Sequence, residues 1–151
     1  VQRIAARAEI LQKKLLSLID EDAEAFLPLA EAYRLPQETE PQRAERARIM
    51  EGTLYGASLA PLAIMETCCE AVGLLAELSE KGSRLALSDV GVGAAMSKAA
   101  LMGAGLNVFI NTSLMADRQR AGELNARVDD MLDVYCARAD EVYDDVRLKL
   151  R

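Results

Sequence analysis

The 151 residues carry 18 Lys and Arg against 24 Asp and Glu, a net charge of -6 with both signs dispersed, so no basic patch marks a nucleic-acid partner. Apolar residues make up 51% of the chain but aromatic ones only 4%, and Ala and Leu dominate, which favours helix over sheet in one domain spanning residues 1–151. There is no His, and Cys68, Cys69 and Cys136 show neither CxxC spacing nor an even count, which excludes a good metal site or disulfide framework. The three cysteines are expected to be small buried hydrophobes in a reducing, cytoplasmic setting. No apolar run approaches the roughly 20 residues needed to span a bilayer, and the start lacks a signal-peptide pattern, so no membrane partner is expected.

Four long helices and no strand are predicted. The first runs from about Val1 to Leu35, with apolar residues at Ile4, Ala8, Leu11, Leu15, Leu18, Ala25, Leu29 and Ala32 in alternating steps of four and three. The segment PQETEP from Pro36 to Pro41 is a linker, and Thr39 or Glu40 is placed to cap a second helix that continues to Lys81 and stops at Gly82. Pro61 lies within that helix and is expected to bend it. A third helix begins with Ser83 or Ser88 as its cap and ends near Ser113. The fourth, about Asp117 to Leu150, packs through Leu124, Val128, Met131, Tyr135, Val142 and Val146, and turns Asp140, Glu141, Asp144 and Asp145 to water. Helices of about 30 residues are about 45 Å long, so the expected fold is all-α, an elongated antiparallel bundle of long helices. Apolar faces this wide predict that it dimerises through helix faces as a homodimer.

Within the third helix, Gly91, Ala95, Ala99 and Gly103 fall every fourth position and are followed on the same spacing by Asn107 and Asn111. A stripe this bare requires another backbone, or a flat ligand, against it. Asp22 interrupts the apolar series of the first helix, and a carboxylate there must be paired, protonated or turned to a ligand cavity. It either bonds across to Asn107, a Ser or an Arg, or serves as a carboxylate of raised pKa that moves protons near neutral pH. Asp89 follows Ser88 at the start of the third helix, where it favours the macrodipole. Gly91 and Gly93 leave space beside it for a planar molecule.

The segment IDEDAEAF from Ile19 to Phe26, the Pro after it, ELSEKGSRLALSD from Glu77 to Asp89, and above all the SD, GA and spaced Asn pattern from Ser88 to Asn111 resemble the formiminotetrahydrofolate cyclodeaminase and methenyltetrahydrofolate cyclohydrolase family. The resemblance extends over nearly the whole chain. It implies an all-helical dimer with a folate site and a role in one-carbon metabolism. It also implies an upstream helix with a GGGS-type segment that contributes to the site; nothing here matches that segment, and the chain is expected to lack it.

On that resemblance the substrate is 5-formimino-tetrahydrofolate, closed with release of ammonia, or 5,10-methenyl-tetrahydrofolate, hydrolysed to 10-formyl-tetrahydrofolate. Neither reaction is a redox step and both need only acid and base groups, so neither a cofactor nor a metal is expected. With no His, the acid and base roles fall to Asp22 and Asp89, with binding of the pterin the alternative role for one of the two, while Ser88, Asn107 and Asn111 are the expected substrate-binding residues. The alternative is a non-catalytic helical dimerisation or folate-binding module that kept the scaffold. As a pure dimerisation module it would have no cavity between the helices.

Overall fold

Apolar spacing shapes the first helix. Ile4, Leu11 and Leu18 are buried at intervals of seven, half-buried Ala25 and buried Ala32 continue the row, and α1 (Gln2–Tyr33) is one unbroken helix in the computed structural model, which describes residues 2–151. Val1, expected as the first helical residue, lies outside the described residues. The parallel series Ala8, Leu15 and Asp22 is exposed or only half-buried, and is covered only at its next member, Leu29. The physical reason is that α1 packs on a single neighbour, so one of its two apolar rows is covered and the other stays open.

That neighbour is α2 (Glu40–Lys81), 42 residues and about 63 Å long. Thr39 caps it in a reciprocal box: its hydroxyl accepts from the Gln42 N–H at 3.4 Å, while the Gln42 side chain accepts from the Thr39 N–H at 2.9 Å. Its end comes at Gly82, whose N–H donates to the Leu78 carbonyl at 2.7 Å. Pro61 is buried inside the helix, which runs on through it. Lacking an N–H, Pro61 cannot serve the carbonyl of Ala57 one turn earlier.

The entry to the third helix departs from expectation. A short 3-10 turn, Arg84–Ala86, feeds straight into α3 (Leu87–Leu114), whose capping residue is Ala86 rather than Ser83 or Ser88. Ser83 stands instead at the head of the 3-10 turn, with no side-chain capping bond, and Ser88 already lies inside α3. α4 (Arg118–Leu150) follows after a tight turn that polar groups hold on all sides. The Glu51 carboxylate accepts from the N–H groups of Ala116 and Asp117 at 2.6 and 3.2 Å, and the Arg118 guanidinium donates to the carbonyls of Thr112 and Met115 at 2.9 and 3.1 Å. Asp117 caps α4 by accepting from the Arg120 N–H at 3.0 Å.

Successive helices run antiparallel, so α2 and α4 are parallel, and α3 lies against both. The main core sits among α2, α3 and α4, where Met65, Leu101, Val108, Ala121 and Val128 have no exposed surface. Truncating such a side chain to Ala costs about 2–5 kcal/mol where the original is Leu, Ile or Met. Thr112 and Asn125 bond inside this layer at 2.6 Å. Ion pairs join the layers at the surface: Arg3 with Glu77 and Arg7 with Glu70 between α1 and α2, Arg127 with Glu66 between α4 and α2. In the acidic run of α4, expected only to be solvated, Asp140 reaches Lys98 of α3 at 2.6 Å, and Asp144 and Asp145 pair with Arg147 and Lys149. The antiparallel register sets Lys98 opposite Asp140.

Two stretches, within α2 and within Arg84–Leu114, hold an 18-residue window apolar enough to cross a membrane by length and composition, with hydropathies of 1.6 and 1.3. This corrects the expectation that no run comes near such a length: Ala, Gly and Ser dilute the Leu and Ile without adding charge. In α2, the hub of the bundle, 44% of that window is buried against the other helices.

Candidate functional site

The open row of α1 faces a trough. α1 and α3 both flank α2 without touching each other, so the space between them is floored by α2 and walled by the two outer helices. Near the C-terminal halves of α1 and α3 the trough becomes a cleft of about 290 Å³. Asp22 and Phe26 enter it from α1, Ala57 and Pro61 form its floor, and Asn107, Ile110 and Asn111 close it from α3. Asp22 falls there because it sits four residues after Leu18 and seven before Leu29, on the row that α2 does not fully cover. Asn107 and Asn111 are one helical turn apart and present their amides together.

Of the sequence-predicted site residues, the structure thus brings together Asp22, Asn107 and Asn111. It does not bring Ser88 and Asp89 to them. Both are exposed in the first turn of α3, and 18 residues of helix, about 27 Å, separate Asp89 from Asn107 in the same chain. Asp89 and the Asn pair are therefore two separate places on one protomer. Ser88 instead borders a shallow depression beside Tyr143 and Arg147 at the far end of the bundle.

The small-residue stripe is also redistributed. Gly91 packs against Val146, but Ala95, Ala99, Gly103 and Asn107 are exposed. Besides Gly91, where an added Cβ would meet Val146 at 3.0 Å, the close approaches that α3 makes inside the protomer fall on glycines outside the stripe: a Cβ on Gly105 would meet Val128 at 3.3 Å, and one on Gly93 would meet Leu75 at 2.9 Å.

Chemically the cleft offers one titratable group, Asp22, which has no hydrogen bond or ion pair among the described residues, beside two amides that donate and accept. Phe26, Pro61 and Ile110 supply flat apolar contacts of the kind a planar ring needs. Sequence reading missed the floor. Pro61 was visible as a bend, yet its missing N–H, which frees the Ala57 carbonyl beside the cleft, was the more telling signal.

No group of three or more Cys, Asp or Glu among the described residues is arranged to hold a metal ion. Cys68 and Cys69 are buried and free, as expected, and Cys136 is half-buried. Burial, with Cys68 and Cys136 nearby, pushes the Cys69 thiol up to about 12, which makes it a poor nucleophile.

Residues 1–130 match the formiminotransferase-cyclodeaminase family. The chain belongs to that family. A methenyltetrahydrofolate cyclohydrolase of Methylorubrum extorquens is 31% identical over 99% of this chain and 72% of its own length. Formimidoyltransferase-cyclodeaminases of Mus musculus and Sus scrofa are 34% and 33% identical over 79% and 91% of the chain, which spans only 22% and 25% of those longer proteins. The crystal structure of a formiminotetrahydrofolate cyclodeaminase from Thermotoga maritima superposes with a TM-score of 0.74 at 23% identity, over 99% of this chain and 68% of that one, and so shares the fold.

Proposed function

We propose that this protein is a folate one-carbon enzyme that acts on 5,10-methenyl-tetrahydrofolate or 5-formimino-tetrahydrofolate. The observation that carries the reading is the cleft in which Asp22 meets Asn107 and Asn111, set in a member of this family. A helical module serving only dimerisation would need no such cleft, nor an unpaired carboxylate inside it.

In the hydrolytic reaction, water adds to the methenyl carbon and loses one proton; the carbon–N5 bond then breaks as the new hydroxyl gives up its proton to become the formyl carbonyl and N5 takes one up, so that neutral 10-formyl-tetrahydrofolate forms with net release of one proton. In the deaminating one, N10 attacks the formimino carbon and gives up its proton, and the departing nitrogen leaves protonated as ammonia. Each needs one group to accept a proton and one to supply it, which carboxylates in unlike surroundings do. Asp22 takes one of these roles or holds the adjacent N–H donors of the pterin, and Asn107 and Asn111 orient the ring or the carbon unit. Ser88 and Asp89, about 27 Å along α3 from Asn107 in the same protomer, join this set only where a second copy of the chain supplies them.

Neither reaction involves oxidation, so the reading calls for no cofactor and no metal. The protein is read as a cytoplasmic homodimer, without membrane or nucleic-acid partners; free thiols and the net charge of -6 support this. The chain spans 72% of the cyclohydrolase against about a quarter of the formimidoyltransferase-cyclodeaminases, which makes methenyl hydrolysis the first assay.

The test is turnover of both folates together with a thermal-shift titration. A folate at 100 times its Kd should stabilise the protein by about 2.7 kcal/mol. Loss of the methenyl absorbance identifies hydrolysis, and ammonia release from formimino-folate identifies deamination. Absence of any shift and any turnover with either folate would sink the enzyme reading.

A further inference from the structure

Arg46, near the start of α2, is half-buried, and its Nε is shielded from water with no acceptor. Its guanidinium makes no hydrogen bond or ion pair among the described residues. The carboxylates close to it in the chain are already engaged: Glu40 pairs with Arg43, Glu45 pairs with Arg48, and Glu51 accepts from the backbone of the turn before α4. At the end of α1, Glu31 pairs with Arg34. A buried donor without an acceptor is destabilising, so the acceptor that Arg46 needs is to be sought outside the chain.

Its place in the fold says which acceptor that is. Eleven residues are about three turns, so Arg46 lies on the same face of α2 as Ala57, about 16 Å before it. That face is the floor of the trough, where Ala57 and Pro61 underlie the cleft. The ion pairs of Arg3 with Glu77 and Arg7 with Glu70 fix the register of α1 on α2, which sets Asp22 level with Ala57 and Tyr33 level with Arg46. Tyr33 follows Asp22 by the same eleven residues and shares its face of α1. The cleft thus continues between α1 and α2, past Phe26, to an exposed tyrosine and an unpaired guanidinium. Leu75 facing Gly93 and Met65 facing Gly105 mark the register of α3, which ends at Leu114 before the level of Arg46.

In the other direction the trough offers no charge. Ala71 and Leu75 carry the same face of α2 onward, and with Leu11, Leu15 and Ile19 of α1 they line a groove of about 340 Å³ in which Gln12 is the one polar lining residue. A planar head held by Asp22, Asn107 and Asn111 can extend either way, but an anionic tail can extend only one way. Against the aliphatic groove a carboxylate would lose its hydration with nothing in return. Toward Arg46 it meets a planar fork that matches its own geometry.

We propose that Arg46 binds the glutamate carboxylate of the folate whose pterin lies with Asp22, Asn107 and Asn111. The assignment rests on the folate reading and names the part of the substrate that the cleft leaves unheld. Measured from the pterin, an extended aminobenzoyl group and its glutamate reach over a distance of the order found between Ala57 and Arg46. Phe26, one turn beyond Asp22, offers the benzoyl ring an aromatic face on the way.

The test compares whichever folate the parent protein turns over with the same compound ending in a plain benzamide, which lacks the glutamate and both its carboxylates. Arg46→Met keeps the aliphatic stem and removes the fork. Its KM for the folate should rise about 10- to 100-fold, with kcat within about twofold of the parent. For the benzamide the parent should already show the raised KM, and Arg46→Met should not raise it further. Arg46→Lys, which keeps the charge without the fork, should recover part of the loss.

A KM for the folate that is indifferent to Arg46 overturns the assignment and leaves the folate reading standing. An equal rise for both compounds does the same, because it marks a residue that only supports the trough. Should Arg46→Met lose its cooperative melting, the parent still decides: equal KM values for folate and benzamide overturn the assignment. A parent protein that turns over neither compound overturns the folate reading, and the assignment with it.

Discussion

Asp22 of α1 and Asn107 of α3 line one cleft although the helices that carry them do not touch. What joins them is the floor, α2, and the space left open above it. A carboxylate half-buried there, with no partner of its own, is available to a ligand. Asp22→Asn keeps the shape and removes the charge, so kcat is expected to fall by about 100- to 10,000-fold, the usual range for a proton-transfer group. The melting temperature should be unchanged within a degree or two, and a mutant that turns over normally takes Asp22 out of the mechanism.

The amides call for a different outcome. Asn107→Leu and Asn111→Leu keep the volume but lose the hydrogen bonds that hold a ring in place. Each bond is worth about 1–1.5 kcal/mol, so KM should rise roughly tenfold while kcat changes less. Steady-state kinetics on each variant separates this from a proton-transfer role, which would lower kcat instead.

How far the sequence reached depends on what each residue needs for its meaning. Thr39, Gly82 and Asp117 act within one turn of their own helix, and their roles as start and stop signals were legible from local pattern. Asp22 was legible as a misfit in an apolar row. It was expected against a core and lies against a cleft, because periodicity says which side of a helix is apolar but not whether a neighbour covers it. Asp89 and the Asn pair share an edge of α3, and the sequence could not show that five turns of straight helix keep them apart within one chain. Ser83 and Ser88 failed as caps for a similar reason: the 3-10 turn ahead of α3 moved its start to a residue without a capping side chain.

Glycines of one sequence type divide by surroundings. Gly105 lies where α3 crosses α4 and α2, with Val128 at 3.3 Å and Met65 at 3.5 Å from the position of an added Cβ. Gly105→Leu should overpack this crossing and cost about 1–3 kcal/mol, read as a lower urea midpoint at unchanged slope. Gly52 in α2 has nothing within 4 Å of its added Cβ, so Gly52→Ala should gain up to about 1 kcal/mol from helix propensity alone. Equal effects at the two positions would contradict the packing described for Gly105.

Acid stability should depend on Glu77. Its carboxylate accepts from Arg3 of α1 at 2.5 and 2.6 Å and from Lys81 at 2.9 Å. The Arg3 hydrogen bond first, then that of Lys81, lowers its pKa from 4.5 to about 2. Between those values the unfolded chain binds a proton that the folded one does not, so stability rises with pH through this window. The contribution is fully present above 4.5 and lost as the pH falls through about 2. Because Arg3 is an exposed partner, the effect is small and screened by salt. The melting temperature of the parent protein minus that of Glu77→Gln should therefore be positive and flat above pH 5, and should shrink toward zero as the pH is lowered to about 2 at low ionic strength. A difference that persists undiminished at pH 2 would mean that Glu77 stabilises the α1 and α2 contact through packing rather than through its charge.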